Sequence, residues 1–351
     1  MKRLSLIGLL AGLLLLTALI AIQGLGLVAD TLNSAGGQVF WLPLIYVVPV
    51  ACALASWLSL FPSHQTPSFS FSAFAVWISF SINWLLPVGQ VGGEIVRARM
   101  LIKRQVETGM AIATVIGDQT LQIATQAIYA LLGLVLFINA QVEQTTQSQV
   151  LWLVLLGFVL FGLVSAGLYW LQHQGLFQLF ARIARKFTSL STRDNGTFQN
   201  SSAEASQKPI PTLEERAAQL DAALKSMYQR RDRLVVAALW RCGFRLTAAA
   251  ETWFALYFLG HPVTVGEAII LESMGQAIRS AAFLIPGGLG AQEGGIMLIG
   301  VALGIPSDIA LASSLCKRVR ELVLGLPGLI AWQIDEGRQM LSPASGDRPK
   351  S

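Results

Sequence analysis

The chain has 351 residues, of which 54% are hydrophobic and only 13% are charged. That charged share is about half of what a soluble protein carries. Several stretches of about 20 apolar residues hold few or no charges, the length that crosses a hydrocarbon core of ~30 Å. A soluble globular domain is thereby excluded. The formal net charge of +5 reads as membrane topology rather than nucleic-acid binding, because the basic residues sit beside the apolar runs. In lipid only helices and closed barrels satisfy the backbone. No segment alternates with period two, and Leu and Ala dominate, so the expected fold is an all-α integral membrane protein.

The first apolar run, residues 4–23, follows Lys2 and Arg3. No convincing small-residue cleavage motif comes after it, so it is expected to stay as a signal-anchor span, and with its outer loop it fills residues 1–38. The second run covers 39–61. A polar loop with His64 leads to 71–87, which is apolar but short and Ser-rich. It ends in Pro87-Val-Gly89-Gln-Val-Gly92-Gly93-Glu94 and passes into the basic cluster Arg97, Arg99, Lys103 and Arg104. Residues 108–138 form a long span with the run Asp118-Gln-Thr-Leu-Gln122, and 150–171 form a clean one. Residues 172–233 are the one sizeable hydrophilic section. Its Ser/Thr/Asn-rich part, 188–212, has the composition of a flexible linker. Thr212-Leu-Glu-Glu215 is a capping box. It opens an amphipathic helix over 212–233, with Leu213, Leu220, Leu224 and Met227 or Tyr228 on one face, expected at the membrane surface. Residues 234–260 are apolar but hold Arg241, Arg245 and Glu251. The interrupted run 267–286 carries Glu272 and Arg279 and ends in Pro286-Gly287-Gly288-Leu-Gly290-Ala-Gln-Glu293. The last span, 308–334, carries Lys317, Arg318, Arg320 and Glu321, and residues 335–351 form a tail.

Two of these motifs are copies in type and spacing. Pro87-x-Gly89-x4-Glu94 recurs as Pro286-x-Gly288-x4-Glu293, an offset of 286 − 87 = 199. The spans before and after align at the same offset, placing Trp41 on Trp240 and Asp118 against Lys317. The expected organisation is a first unit at 39–171, with a hairpin at 71–104 and an extra span at 150–171, and a second unit at 234–334, with a hairpin at 266–300. The positive-inside rule puts Lys2, Arg3, the 97–104 cluster, the 172–233 section and Arg338, Arg348 and Lys350 in the cytoplasm, and Asp30 and Glu143 outside. About six full spans and two re-entrant Pro-Gly hairpins satisfy all of these, the first hairpin entering from the cytoplasm and the second from outside. If the hairpins cross fully the count becomes ten and the sidedness is unchanged. Either way both termini are cytoplasmic and the two units have inverted topology, as in many transporters.

Irregular backbone at membrane depth is tolerated only against protein or a wet cavity. An ionisable residue there costs roughly 2.5–3.5 kcal/mol unless it finds a partner or water. The hairpin tips and the intramembrane charges therefore mark the expected substrate path: Pro87, Gly89, Gly92, Gly93, Glu94, Arg97, Arg99, Asp118, Gln122, Arg241, Arg245, Arg279, Pro286, Gly287, Gly288, Gly290, Glu293, Lys317, Arg320 and Glu321. Glu94, Glu293, Arg245 and Arg320 are expected to converge on one cavity near the bilayer midplane. The competing reading is local: the two glutamates cap free N–H groups or pair with an arginine, and the remaining charges form a structural network. Arg suits phosphate through its two-pronged geometry. No catalytic residue, metal ligand set or cofactor motif is found. Cys52, Cys242 and Cys316 lie in apolar segments without metal-ligand spacing, and no P-loop is present.

The runs Pro87 to Arg99, Asp118 to Gln122 and Pro286 to Glu293 resemble the lysylphosphatidylglycerol synthase transmembrane-region, flippase-like superfamily, and within it the hopanoid-biosynthesis-associated membrane protein branch. The similarity covers about residues 1–340. The resemblance implies a bacterial inner-membrane protein that moves or handles lipids, with membrane lipids (anionic phospholipid or hopanoid) and hopanoid-synthesis enzymes as partners, and no nucleic acid. The two-domain synthases carry a soluble aminoacyl-transferase domain after the last span. Here the chain stops soon after that span, so lysine transfer is not expected.

Lipid transport accounts for the repeat, the hairpins and the charges together. An integral-membrane lipid transferase is the alternative. It calls for acidic metal ligands or a His/Asp cluster, whereas His64, His173 and His261 lie in separate loops. A scaffold for hopanoid-synthesis enzymes is the third reading, with the linker and its helix as the contact.

Overall fold

The computed structural model describes residues 36–63, 65–86, 92–142, 213–281 and 290–341. Within them the chain is helical and contains no strand. A 3-10 turn, Gly36–Trp41, runs into α1 (Leu42–Ile45) and α2 (Val47–Ser59). There follow α3 (Phe69–Leu85), α4 (Gly92–Lys103) and α5 (Thr108–Val142), then α6 (Leu213–Gln229), α7 (Arg231–Phe258) and α8 (Val265–Ala281), and finally α9 (Ala291–Ala302) and α10 (Ser307–Leu341). Among the described residues two helical stretches are long and apolar enough to cross a membrane, Gly36–Ser59 and Thr108–Ala140. α7 and α10 have 28 and 35 residues, roughly 42 and 52 Å at 1.5 Å per residue, but carry charges in their middle thirds. The expected spans at 4–23 and 150–171 lie outside the described residues.

Helix lengths repeat across the chain. Over the described residues α3, α4 and α5 cover 17, 12 and 35 residues, and so do α8, α9 and α10. α9 starts 291 − 92 = 199 residues after α4, and α10 starts 307 − 108 = 199 after α5. The turns repeat as well. After α4, Val106 N–H donates to the Leu101 carbonyl at 3.2 Å; after α9, Ile305 N–H donates to the Gly300 carbonyl at 2.9 Å. Both turns pass through a left-handed residue, Gln105 at φ 64° and Gly304 at φ 81°, as a helix C-terminus closed in this way requires.

Within each unit the second short helix folds back antiparallel on the first. Gly93 lies against Ser79 while Arg104 covers Phe71, and Gly295 lies against Ile278 while Ile296 meets Gly275. α3 stops at Leu85 because Leu86 is extended, φ −102° and ψ 142°, the conformation that a following proline, here Pro87, imposes.

The units exchange elements. α10 packs on α3, with Trp77 Nε1 donating to the Leu324 carbonyl at 2.9 Å. α5 packs on α8, with Gln126 Nε2 donating to the Ser273 carbonyl at 3.3 Å. α2 and α7 run antiparallel along their length: Arg233 reaches Ser63 at one end, Gly243 meets Cys52 in the middle, and Ala255 packs with Leu42 at the other. The two largest of the resulting apolar clusters sit at the hairpins. One gathers Trp57, Leu60, Phe61, Ile78, Leu101 and Ala111 around the first hairpin, and the other gathers Phe137, Leu256, Leu271 and Ile296 around the second.

α6 departs from expectation. It ends at Gln229, because Arg230 leaves the helical region at φ −84°, ψ 70°, and α7 begins at once. Gly109 abuts Gln219 and Gly117 abuts Met227, so α6 runs alongside the first third of α5. Leu220 and Met227 are buried there. Of the apolar stripe of this helix, Leu220 and Met227 are thus covered by protein.

Candidate functional site

The long helices thread both apolar clusters, and the charges lie between them. On α5, Met110 belongs to the first cluster and Phe137 to the second. Gln122 lies ~18 Å from the first and ~22 Å from the second along the helix axis. On α7, Ala237 and Leu256 bracket Arg241 and Arg245 in the same way. A cavity of about 90 Å³ sits at this level, with room for several water-sized groups. Its lining comes from both units: Tyr46, Asn83, Trp84, Glu94, Arg97, Gln122 and Tyr129 from the first, and Arg241, Phe244, Arg245, Glu272, Gln276, Arg279, Arg320 and Glu321 from the second.

The ion pairs are buried and mostly cross between helices. Asp118, fully buried, accepts from Arg97 Nη2 at 2.8 Å and from Arg241 through two bonds, Nε to Oδ1 at 3.0 Å and Nη2 to Oδ2 at 2.5 Å. Arg97 also pairs with Glu94, three residues away on the same helix. Arg320 grips Glu251 with Nε at 2.8 Å and Nη2 at 3.2 Å, and its guanidinium lies 3.7 Å from the centre of the Tyr46 ring and 4.8 Å from that of Trp84. Glu321 receives Arg279 at 2.5 Å and Arg318 at 2.8 Å. Lys317 pairs with Glu272, which also accepts from Thr252 at 2.7 Å and Gln276 at 3.1 Å. Buried charges without such partners cost several kcal/mol each, so these pairs are what allows the charges to exist at this depth.

Local sequence explains the placement. Gly93 brings the start of α4 onto α3, because a Cβ there would collide with the Ser79 carbonyl. The close approach lets Asn83 Oδ1 accept from Gly93 N–H at 2.9 Å and lets Ser79 donate to Glu94 at 3.2 Å. In the second unit Gly290, at φ 80°, is the N-cap of α9, and its N–H donates to Glu293 Oε2 at 2.8 Å.

Of the residues expected on the substrate path, Glu94, Arg97, Gln122, Arg241, Arg245, Arg279, Arg320 and Glu321 line this one cavity. Asp118 and Lys317 stand behind the wall, each holding a lining residue. Gly92 and Gly93 open α4. Three expectations need correction. Glu293 does not line the cavity: it caps Gly290 and pairs with Arg318 at 2.7 Å. Gly290 is the cap of α9 and is likewise absent from the lining. Arg99 points away, paired with Glu336 at 2.7 Å on an exposed edge. Pro87, Gly89, Pro286, Gly287 and Gly288 lie outside the described residues. Sequence reasoning passed over Tyr46, Asn83, Trp84, Tyr129, Phe244 and Gln276. Polar atoms inside apolar runs were the available signal for Asn83 and Tyr129, and nothing in the pattern marked the aromatic residues. Among the described residues no three His, Cys, Asp or Glu side chains stand close enough to hold a metal ion.

Residues 5–328 match the lysylphosphatidylglycerol synthase transmembrane region. The chain belongs to that family. It is a membrane protein with a lipid-related function. No curated relative and no solved structure matches it.

Proposed function

We propose that this family member is a flippase-like lipid carrier of the bacterial inner membrane, with cytoplasmic termini, in which a lipid head group passes through the cavity between the two units while the tails remain in the bilayer. The observation that carries this reading is the polar cavity midway between the two apolar clusters, walled by side chains of both units. Several features support it. α9, at 12 residues between Gly290 and Leu303, extends only ~18 Å, short of a ~30 Å hydrocarbon core, which suits a hairpin that enters and returns. The antiparallel pairing of α2 with α7 suits an inverted repeat, in which rocking of one unit against the other exposes a central site to each side in turn. The cavity is lined by charged side chains, so a hopanoid would have to offer its polar end, and a place beside hopanoid-synthesis enzymes would have to be tested by pull-down. We read the protein as a carrier rather than an enzyme.

The test is a leaflet-resolved assay on the purified chain in liposomes. Fluorescent lipid accessible to a membrane-impermeant quencher should rise from the outer-leaflet half toward the whole with wild-type protein. It should stay near half with Arg241→Gln or Glu94→Gln. No difference between protein-containing and empty vesicles, for phospholipid and hopanoid alike, would remove the proposal.

A further inference from the structure

The charge balance of the network leaves one cation over. Its cations are Arg97, Arg241, Arg245, Arg279, Lys317, Arg318 and Arg320, seven in all, against six carboxylates, Glu94, Asp118, Glu251, Glu272, Glu293 and Glu321. Each carboxylate is taken by at least one of the other six cations. Among the described residues Arg245 has no carboxylate within ion-pair distance. It is 7% exposed, lines the cavity, and makes one hydrogen bond, from Nη2 to the Gln122 carbonyl at 3.1 Å. Its guanidinium faces the Phe244 ring at 5.3 Å, which stabilises a cation modestly and occupies none of its N–H groups.

The orphaned polar atoms point the same way. Arg245 Nε, Arg97 Nε, Arg320 Nη1 and the Tyr129 hydroxyl are buried without a hydrogen-bond partner, and all four belong to residues lining the cavity. The three nitrogens can only donate, and the hydroxyl is free to. Unused donors on four cavity-lining residues, beside one uncompensated positive charge, fit an acceptor-rich ligand bearing one negative charge.

We infer that the cavity is a binding site for a monoanionic phosphate ester, with Arg245 as the residue that holds it. Such a group neutralises the single excess charge and supplies the acceptors that the donors lack. A zwitterionic head group brings its own cation into a site that already has one too many, an uncharged one leaves the excess in place, and a doubly charged one overshoots. The inference rests on the lipid-carrier reading for the source of the group, a phosphodiester head. A free phosphate ion shares the chemistry.

Binding is measured apart from transport, on the full chain in detergent, by the quenching of tryptophan fluorescence with Trp84 in the cavity wall. The probes are short-chain phosphatidylglycerol, phosphatidylethanolamine, phosphatidic acid and inorganic phosphate. Wild type should bind phosphatidylglycerol at least about tenfold tighter than phosphatidylethanolamine, a difference of about 1.4 kcal/mol. Arg245→Gln should abolish that preference, and Arg245→Lys, which restores the charge without the planar fork, should recover part of it. Lysine also guards against misreading a folding defect, as does unchanged elution on gel filtration. Inorganic phosphate binding as tightly as phosphatidylglycerol would keep the anion site and assign it to the free ion. Equal binding of charged and neutral heads, or an unchanged preference in Arg245→Gln, would overturn the assignment. Selective binding without lipid movement would sink the carrier reading and leave this one standing; movement without selectivity would do the reverse.

Discussion

In the first unit the long helix α5 carries Asp118, which holds two arginines, Arg97 and Arg241. In the second, the matching position on α10 is Lys317, which holds the single carboxylate of Glu272. The same contrast appears at the hairpins. Gly93 clamps α4 against Ser79, while its counterpart 199 residues on is Gln292, buried and 3.4 Å from Arg279. Helix lengths and turn geometry coincide between the units, yet the side chains at the centre differ in sign and size. Repetition has kept what the backbone needs to pack, and the charges have diverged until each half supplies what the other lacks. The site therefore belongs to the interface between the units.

The largest expected effect breaks the charge contrast. Asp118→Asn leaves Arg97 and Arg241 buried with their shared carboxylate gone, and should lower stability by about 3–5 kcal/mol. Lys317→Met should cost less, because Glu272 keeps its hydrogen bonds from Thr252 and Gln276 and can neutralise itself by taking up a proton. Thermal unfolding in detergent ranks the two. Equal losses would mean that the two positions carry equal weight and that the difference between the units is only formal.

Next is the packing contrast. Gly93→Ala forces α4 away from the rigid backbone at Ser79 and should destabilise by about 1–3 kcal/mol. Gln292→Ala removes only a long contact to Arg279 and should cost under about 1 kcal/mol. Unfolding midpoints that fell equally would show that the two hairpins are docked with the same tightness.

These sites also show how much of the molecule its sequence made legible. The repeat at an offset of 199 could be read from two Pro-Gly-Glu motifs, because proline and glycine carry backbone information in their identity. The intramembrane charges could be read because lipid makes each one costly. Which charges meet could not be read, since that depends on how α5, α7 and α10 cross. Glu94 and Glu293 look identical in their motifs, yet one faces the cavity and the other Arg318. The difference lies in residues far along the chain: Arg318 on α10 waits for Glu293, and the position matching it 199 residues earlier is Gln119. Tyr46 and Trp84 gave no signal either, because an aromatic ring in an apolar span looks the same whether it meets lipid or stacks on Arg320.

A smaller and opposite effect separates function from stability within the second unit. Arg245→Met removes a buried donor that the fold leaves unused. It should raise the unfolding free energy of ligand-free protein by about 1 kcal/mol, while Arg241→Met, which strips Asp118 of a two-bond partner, should lower it. If Arg245→Met were as damaging as Arg241→Met, Arg245 would belong with the structural network.

The smallest effect tests the one place where the repeated turns differ in residue but not in shape. Gln105 and Gly304 occupy the same left-handed conformation at φ 64° and 81°, and a side chain there costs roughly 1–2 kcal/mol relative to glycine. Part of that is returned by the lower entropy of the non-glycine residue in the unfolded chain. Gln105→Gly should therefore stabilise by about 0.5–1 kcal/mol, and Gly304→Gln should destabilise by a similar amount, both read as shifts in unfolding midpoint with lipid binding unchanged. The two shifts should be opposite in sign and close in size, because Val106 and Ile305 close the two turns with the same bond. A loss on Gln105→Gly would mean that the glutamine side chain secures the first turn in a way the second does without, and the correspondence between the units would end at the helices.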